Sequence, residues 1–138
     1  MSRIIATEGP GKIRNQHRRT IAEALRRLSE KRRLDDEAKD LAALIVFCLH
    51  GMADTVDQTI EAWEKRDYWM KAERFREGWR WLEVTTDELS ATIYKGRWDQ
   101  LPAVLAQLMP HFADVKIKQM TRKPSLWQDA YEKFMRED

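Results

Sequence analysis

Apolar side chains recur every three or four residues along the middle of this chain. Ala38, Leu41, Ile45, Leu49, Met52, Val56, Thr59 (or Ile60) and Trp63 keep that spacing, which draws one stripe along a long helix. In the first half of that segment Leu44, Val46 and Phe47 point away from the stripe, so the helix is apolar nearly all round. A helix that is hydrophobic on every side is buried on every side, which places Leu41–Leu49 at the centre of a bundle. A second stripe runs through Tyr68, Ala72, Phe75, Trp79, Leu82, Thr86, Leu89 and Ile93. The step of five from Trp63 to Tyr68 rotates the pattern by ~140° at ~100° per residue. That rotation predicts a turn near Lys65–Asp67, with Asp67 capping the next helix. No Gly or Pro marks the turn, so a kinked continuous helix stays open.

Shorter elements flank this pair. Residues 1–12 lack helical periodicity and contain "EGPG", which predicts a flexible N-terminal arm ahead of a single helical domain over 13–138. A basic helix is expected from Ile13 or Asn15 to Lys31, with Ile21, Ala24, Leu25 and Leu28 on one side. Thr20-Ile-Ala-Glu23 has the letters of a capping box, so a start at Thr20 is the alternative. Asp35 or Asp36 suits the N-cap of the central helix, and Gly96 the C′ position after the second stripe. Asp99 is expected to cap a short helix carrying Leu101, Val104, Leu105, Leu108 and Met109. A basic connector, Ala113–Pro124, has room for a short extended piece. Ser125-Leu-Trp-Gln128 then reads as a second capping box, opening a last helix through Phe134 with Leu126 or Trp127, Ala130, Tyr131 and Phe134 inward. The predicted fold is an all-α bundle of four or five helices built on a long antiparallel hairpin, roughly 36–66 and 67–95. The basic helix docks on the apolar start of the central helix, and the C-terminal pair closes the structure.

Composition changes this picture little. A length of 138 residues suits one domain. A charged fraction of 35% and a mean hydropathy of −0.69 would fit a disordered chain, but six Trp and 43% hydrophobic residues would not. Cys48 is the only cysteine, so an internal disulfide is excluded. The longest apolar run, Leu41–Leu49, falls far short of the ~20 residues that span a bilayer. No membrane association is expected, and a cytoplasmic location is.

Charge is more telling. Residues 1–33 hold ten Lys/Arg against Glu8, Glu23 and Glu30, a net +7, while the rest of the chain nets −5. "GPGK" fails as a phosphate loop: the first glycine of G-x-x-x-x-G-K-[ST] would be Ala6, the Ser/Thr would be Ile13, and no strand precedes it. Lys12, Arg14, Arg18, Arg19, Arg26 and Arg27 mostly avoid the Ile21/Leu25/Leu28 side. Such a face suits plain solvation, and it also suits nucleic-acid phosphates, which draw clusters of Lys and Arg. No helix-turn-helix, zinc-finger or RNP pattern accompanies it, so contact with backbone rather than base sequence is expected.

The residues give catalysis no support. Asp54-x-x-Asp57 and Glu61-x-x-Glu64 have a spacing that resembles the metal-holding acid pairs of all-α nucleotide pyrophosphohydrolases. Their mean direction lies ~150° from the apolar stripe, outward, whereas bundle metal sites project inward. His17, His50 and His111 form no ligand pair. No catalytic residue, metal, cofactor or small-molecule substrate is therefore expected. Trp63 and Trp79 lie in the stripes and are expected in the core. Trp81, with Met70 and Val84, lies opposite Trp79, flanked by Trp69. Either the C-terminal helices cover that set, or a second copy or a protein partner does. The leading expectation is a non-enzymatic binding or assembly module whose basic helix meets an anionic partner, foremost nucleic-acid backbone. The alternative is a scaffold or accessory subunit that docks through Trp69, Met70, Trp81 and Val84.

Overall fold

Asp35 opens the central helix: its side chain accepts a hydrogen bond from Ala38 N–H at 2.8 Å, and Asp36 and Glu37 complement the helix dipole in the first turn. A computed structural model describes residues 9–137 of the chain, and every regular element among them is helical. The helices are α1 (Pro10–Ser29), α2 (Asp36–Lys65), α3 (Trp69–Gly78), α4 (Arg80–Tyr94), α5 (Leu101–Leu108) and α6 (Ala130–Arg136). Short 3-10 turns occupy Trp98–Gln100, Met109–Phe112 and Pro124–Leu126. The all-α bundle stands as expected, with α3 and α4 forming one bent arm.

α2 is the axle. Leu41, Ala42, Ala43, Ile45, Val46, Leu49 and Met52 are fully buried, and only Phe47 within the Leu41–Leu49 run is half-exposed. α1 lies antiparallel on one side of α2: His17 meets Gly51 at one end, and Lys31 pairs with Glu37 at the other. α3 and α4 return along a second side, burying Ala72, Leu82, Thr86, Leu89 and Ile93. α6 covers a third, where Phe134 meets the edge of Phe47. Trp63 and Trp79 are half-buried rather than core.

Several boundaries differ from the pattern-based expectation, each for a local reason. α1 starts at Pro10 with Gly9 at the N-cap, so Pro10, Gly11 and Lys12 are helical. Proline at the first helical position is pre-organised for a start and lacks an N–H that would go unpaired there. The rest of the expected arm, residues 1–8, lies outside the described residues. Thr20 and Glu23 sit mid-helix and form no capping box: the Thr20 hydroxyl bonds back to Gln16 O at 3.1 Å.

Asp67 does not cap α3. It ends α2 in the left-handed region, with φ 63°. Its N–H bonds Glu64 O, and Tyr68 N–H bonds Trp63 O, which is a Schellman ending with Asp in the place glycine usually holds. Gly96, with φ 67°, closes α4 by the same motif through Ile93 O and Thr92 O, as expected. The predicted single helix over 67–95 breaks at Trp79, directly after Gly78, where the weak helix former relaxes the ladder.

Asp99 caps nothing, because it lies inside a 3-10 turn that runs into α5. Ser125 and Gln128 likewise open no helix. α6 starts later, after Asp129 at φ 64°, and its first amides are held from outside by Asp40 of α2. That carboxylate accepts from Tyr131 N–H at 2.9 Å and Asp129 N–H at 3.2 Å.

Candidate functional site

The irregular connector between Phe112 and Pro124 crosses the outer side of α1, opposite the side that docks on α2. The arginines of α1 hold it there. Arg18 pairs with Asp114 at 2.5 Å and donates to His111 O at 3.0 Å. Arg19 donates to Gln119 O at 2.9 Å and Lys116 O at 3.3 Å, and Arg26 to Ile117 O at 2.9 Å. Thr20–Leu25 are consequently buried from both sides.

Glu23 is the anchor of this arrangement. It is 1% exposed and accepts from Thr121 N–H at 2.7 Å, Arg122 N–H at 2.8 Å, the Thr121 hydroxyl, and Arg19 Nε at 2.6 Å. Burial alone would raise its pKa. The hydrogen bonds from the Thr121 hydroxyl, Arg19 and the two backbone amides outweigh that and bring it from the ordinary 4.5 to about 2. The carboxyl is ionised at neutral pH and serves as a clamp for the connector.

The six basic residues singled out from the sequence therefore divide. Arg14 is committed to the hairpin: Nη1 reaches Thr55 and Thr59 hydroxyls at 3.3 and 3.4 Å, and the guanidinium lies over Phe75 and Trp79. Arg27 pairs with Glu37 at 3.2 Å beside Trp127. Arg18 is spent on Asp114, and Arg19 on Glu23. Arg26 bonds mainly a neutral carbonyl, and its ion pair to Glu30 is long at 3.8 Å. Lys12 is exposed and makes no ion pair among the described residues. The structure thus does not bring the six together as one open cationic face.

A different basic set lies along the connector. Lys116 and Lys118 lie on the stretch whose carbonyls bond Arg19 and Arg26, and Lys123 follows the Arg122 amide that Glu23 holds. All three lysines are exposed and none makes an ion pair with a carboxylate among the described residues, although, after the Arg18 hydrogen bond, the charge of Lys116 helps to lower the Asp114 pKa. Arg122 spends its guanidinium on neutral oxygens of Thr20, Thr121 and Gln16. Hydrogen bonds to carbonyls and hydroxyls hold Arg122, and one to Ala113 O holds Lys116, without cancelling their charge. The sequence signal for this set was the basic composition of 113–124. What it lacked was any sign that the stretch lies on α1.

The aromatic set also divides. Trp81 is covered by its own chain: it stacks on His111 at 3.7 Å between ring centroids and 5° between planes, with the edge of Phe112 against it. Burial holds the His111 pKa below its ordinary value. Trp69, Met70 and Val84 are 57%, 70% and 65% exposed.

Other chemistry is poorly placed. Burial pushes the Cys48 thiol up to about 12, which keeps it protonated. Asp54, Asp57 and Glu61 face solvent, Glu61 pairs with Lys65, and Glu64 pairs with Arg76. Among the described residues no three His, Cys, Asp or Glu side chains gather at a metal-sized site. No described helix is long and apolar enough to cross a membrane. No protein-family model matches the chain, and no curated protein or solved structure is significantly similar to it.

His17 reports on the α1–α2 seam. Its ring lies where a Cβ on Gly51 would be, and burial lowers its pKa against a partial upward pull from Asp54. Gly51→Ala is expected to push the ring outward into solvent and return its titration toward 6.5. An NMR titration of the imidazole Cε1–H checks this, and an unchanged pKa would show that the ring is not held by the seam.

Proposed function

We propose that this chain is a non-enzymatic binding module that holds nucleic-acid backbone on the composite face formed by α1 and the 113–124 connector. The observation that carries the proposal is that Lys116, Lys118, Lys123 and Arg122 of the connector, and Arg26 that bonds it, have partners within the molecule that are mainly neutral or absent. A surface of largely uncancelled charge on a fixed scaffold suits phosphates at regular spacing, and backbone contacts of this kind carry no base specificity. About four phosphate contacts would give a slope of roughly −3.6 in log K against log salt on duplex DNA. Fluorescence anisotropy with a labelled duplex and a labelled single strand, from about 50 to 200 mM salt, measures it. No binding at the lowest salt, or a slope near zero, would end the proposal.

A second reading rests on the exposure of Trp69 and Met70 at the start of α3: docking of a second copy or a protein partner at the hairpin tip. Light scattering together with Trp69→Ala tests it, since a monomer at all concentrations with no change on substitution removes self-association.

A further inference from the structure

A groove of about 370 Å³ runs between the C-terminal half of α1 and α5, and at Leu25 and Met109 it adjoins the depression that Arg26 and Lys116 line. Leu25 and Leu28 form one wall, Leu101 and Leu105 the other, Ala38 the floor, and Trp98 also lines it. The volume lies at the lower end of the ~300–1,000 Å³ typical of small-molecule sites. Leu34 and Met109 on its rim are each 40% exposed, so apolar surface is left open on both sides. The lining's own polar groups are occupied: the Ser29 hydroxyl donates to Arg26 O, and Lys31 Nζ is held by Asp35 at 2.8 Å and Glu37 at 2.7 Å.

The remaining charge is confined to one place. Arg32 and Arg33 line the groove from the α1–α2 loop, are exposed, and have no carboxylate partner among the described residues. An apolar slot with two uncompensated guanidinium groups at its mouth complements a molecule that is apolar along its body and anionic at one end. Arginine pairs such a head in bidentate fashion. Size decides between a small molecule and a partner helix. α5 has eight residues, about 12 Å of wall at ~1.5 Å per residue, too short to seat the three turns a docking helix presents.

We propose that this groove binds a single-chain carboxylate of the fatty-acid type, its chain between α1 and α5 and its head at Arg32 and Arg33. Neither arginine belongs to the set proposed to hold nucleic acid, so substituting Arg32 and Arg33 tests this site separately from that proposal.

The test is calorimetric titration of the full chain with dodecanoate below its micelle concentration, with dodecanol and dodecyl phosphate as comparison ligands. Amide and indole NMR shifts locate the binding. One dodecanoate per chain is expected, with the Trp98 indole N–H among the largest shifts. Affinity should fall at least about tenfold in Arg32→Gln/Arg33→Gln, a change on an exposed loop, and in Ser29→Trp, which fills the groove from its rim. Dodecanol should bind the wild type no more tightly than dodecanoate binds the double variant. Absent or non-saturable binding overturns the proposal, as do shifts centred away from Trp98, equal affinity for dodecanol, or an unaffected double variant. Tighter binding of dodecyl phosphate overturns the carboxylate assignment.

Discussion

Glu23→Ala is expected to lower the unfolding free energy by about 3 kcal/mol at pH 7, within the range for breaking a buried charged pair. Alanine would leave Thr121 N–H, Arg122 N–H, the Thr121 hydroxyl and Arg19 Nε without that acceptor, in a segment that belongs to no helix. The drop of the Glu23 pKa from 4.5 to about 2 gives a figure of the same size, about 3 kcal/mol. It also fixes the pH dependence. A carboxyl whose folded pKa is depressed stabilises fully above its unfolded pKa, and that stabilisation is lost as the pH falls through the folded value. The difference between wild type and Glu23→Ala should therefore be full above about pH 5, shrink between 4.5 and 2, and nearly vanish near pH 2. Urea unfolding at about pH 7, 4 and 2.5 measures it. A difference below about 1 kcal/mol at pH 7, or one constant with pH, would show that Glu23 does not hold the connector.

The parts of this fold that are legible in the sequence are those set by neighbours within one or two turns. The α2 stripe, its all-round apolar start, Asp35 at the N-cap and Gly96 in the left-handed C′ position all follow from short-range spacing. The failures share a cause. Thr20-x-x-Glu23 and Ser125-x-x-Gln128 carry capping-box letters, but a carboxylate or hydroxyl in those positions is equally free to serve a partner elsewhere. Glu23 serves residues 121 and 122, and the start of α6 takes its cap from Asp40. The Gly-Pro start of α1 and Gly78 before the α3–α4 bend were visible signals that the apolar stripe overrode.

The candidate site was only half legible, for a related reason. Arginine clusters advertise charge, but not whether that charge is available. Arg18, Arg19 and Arg26 find carbonyl oxygens roughly a hundred residues away, and a carbonyl has no side-chain signature. Trp81 is covered by His111 in the same way, through a segment whose placement no periodicity encodes.

That difference between charge present and charge available separates two triple variants. Lys116→Glu/Lys118→Glu/Lys123→Glu should weaken oligonucleotide binding at about 50 mM salt by at least about tenfold, and flatten the salt slope by roughly one unit for each phosphate no longer neutralised. Its melting temperature should stay within about 2 °C, because exposed side chains that make no ion pair contribute little to stability. Arg14→Ala/Arg18→Ala/Arg19→Ala should do the opposite. It removes the guanidinium over Phe75 and Trp79, the Asp114 pair and the Glu23 pair, together about 3 kcal/mol, which lowers the melting temperature by roughly 10 °C in a chain of this size. Measured where that variant is still folded, its affinity should fall far less than that of the lysine variant. If the arginine variant keeps its melting temperature and loses binding while the lysine variant binds like wild type, the phosphates meet α1 directly, and the connector is only a strap over it.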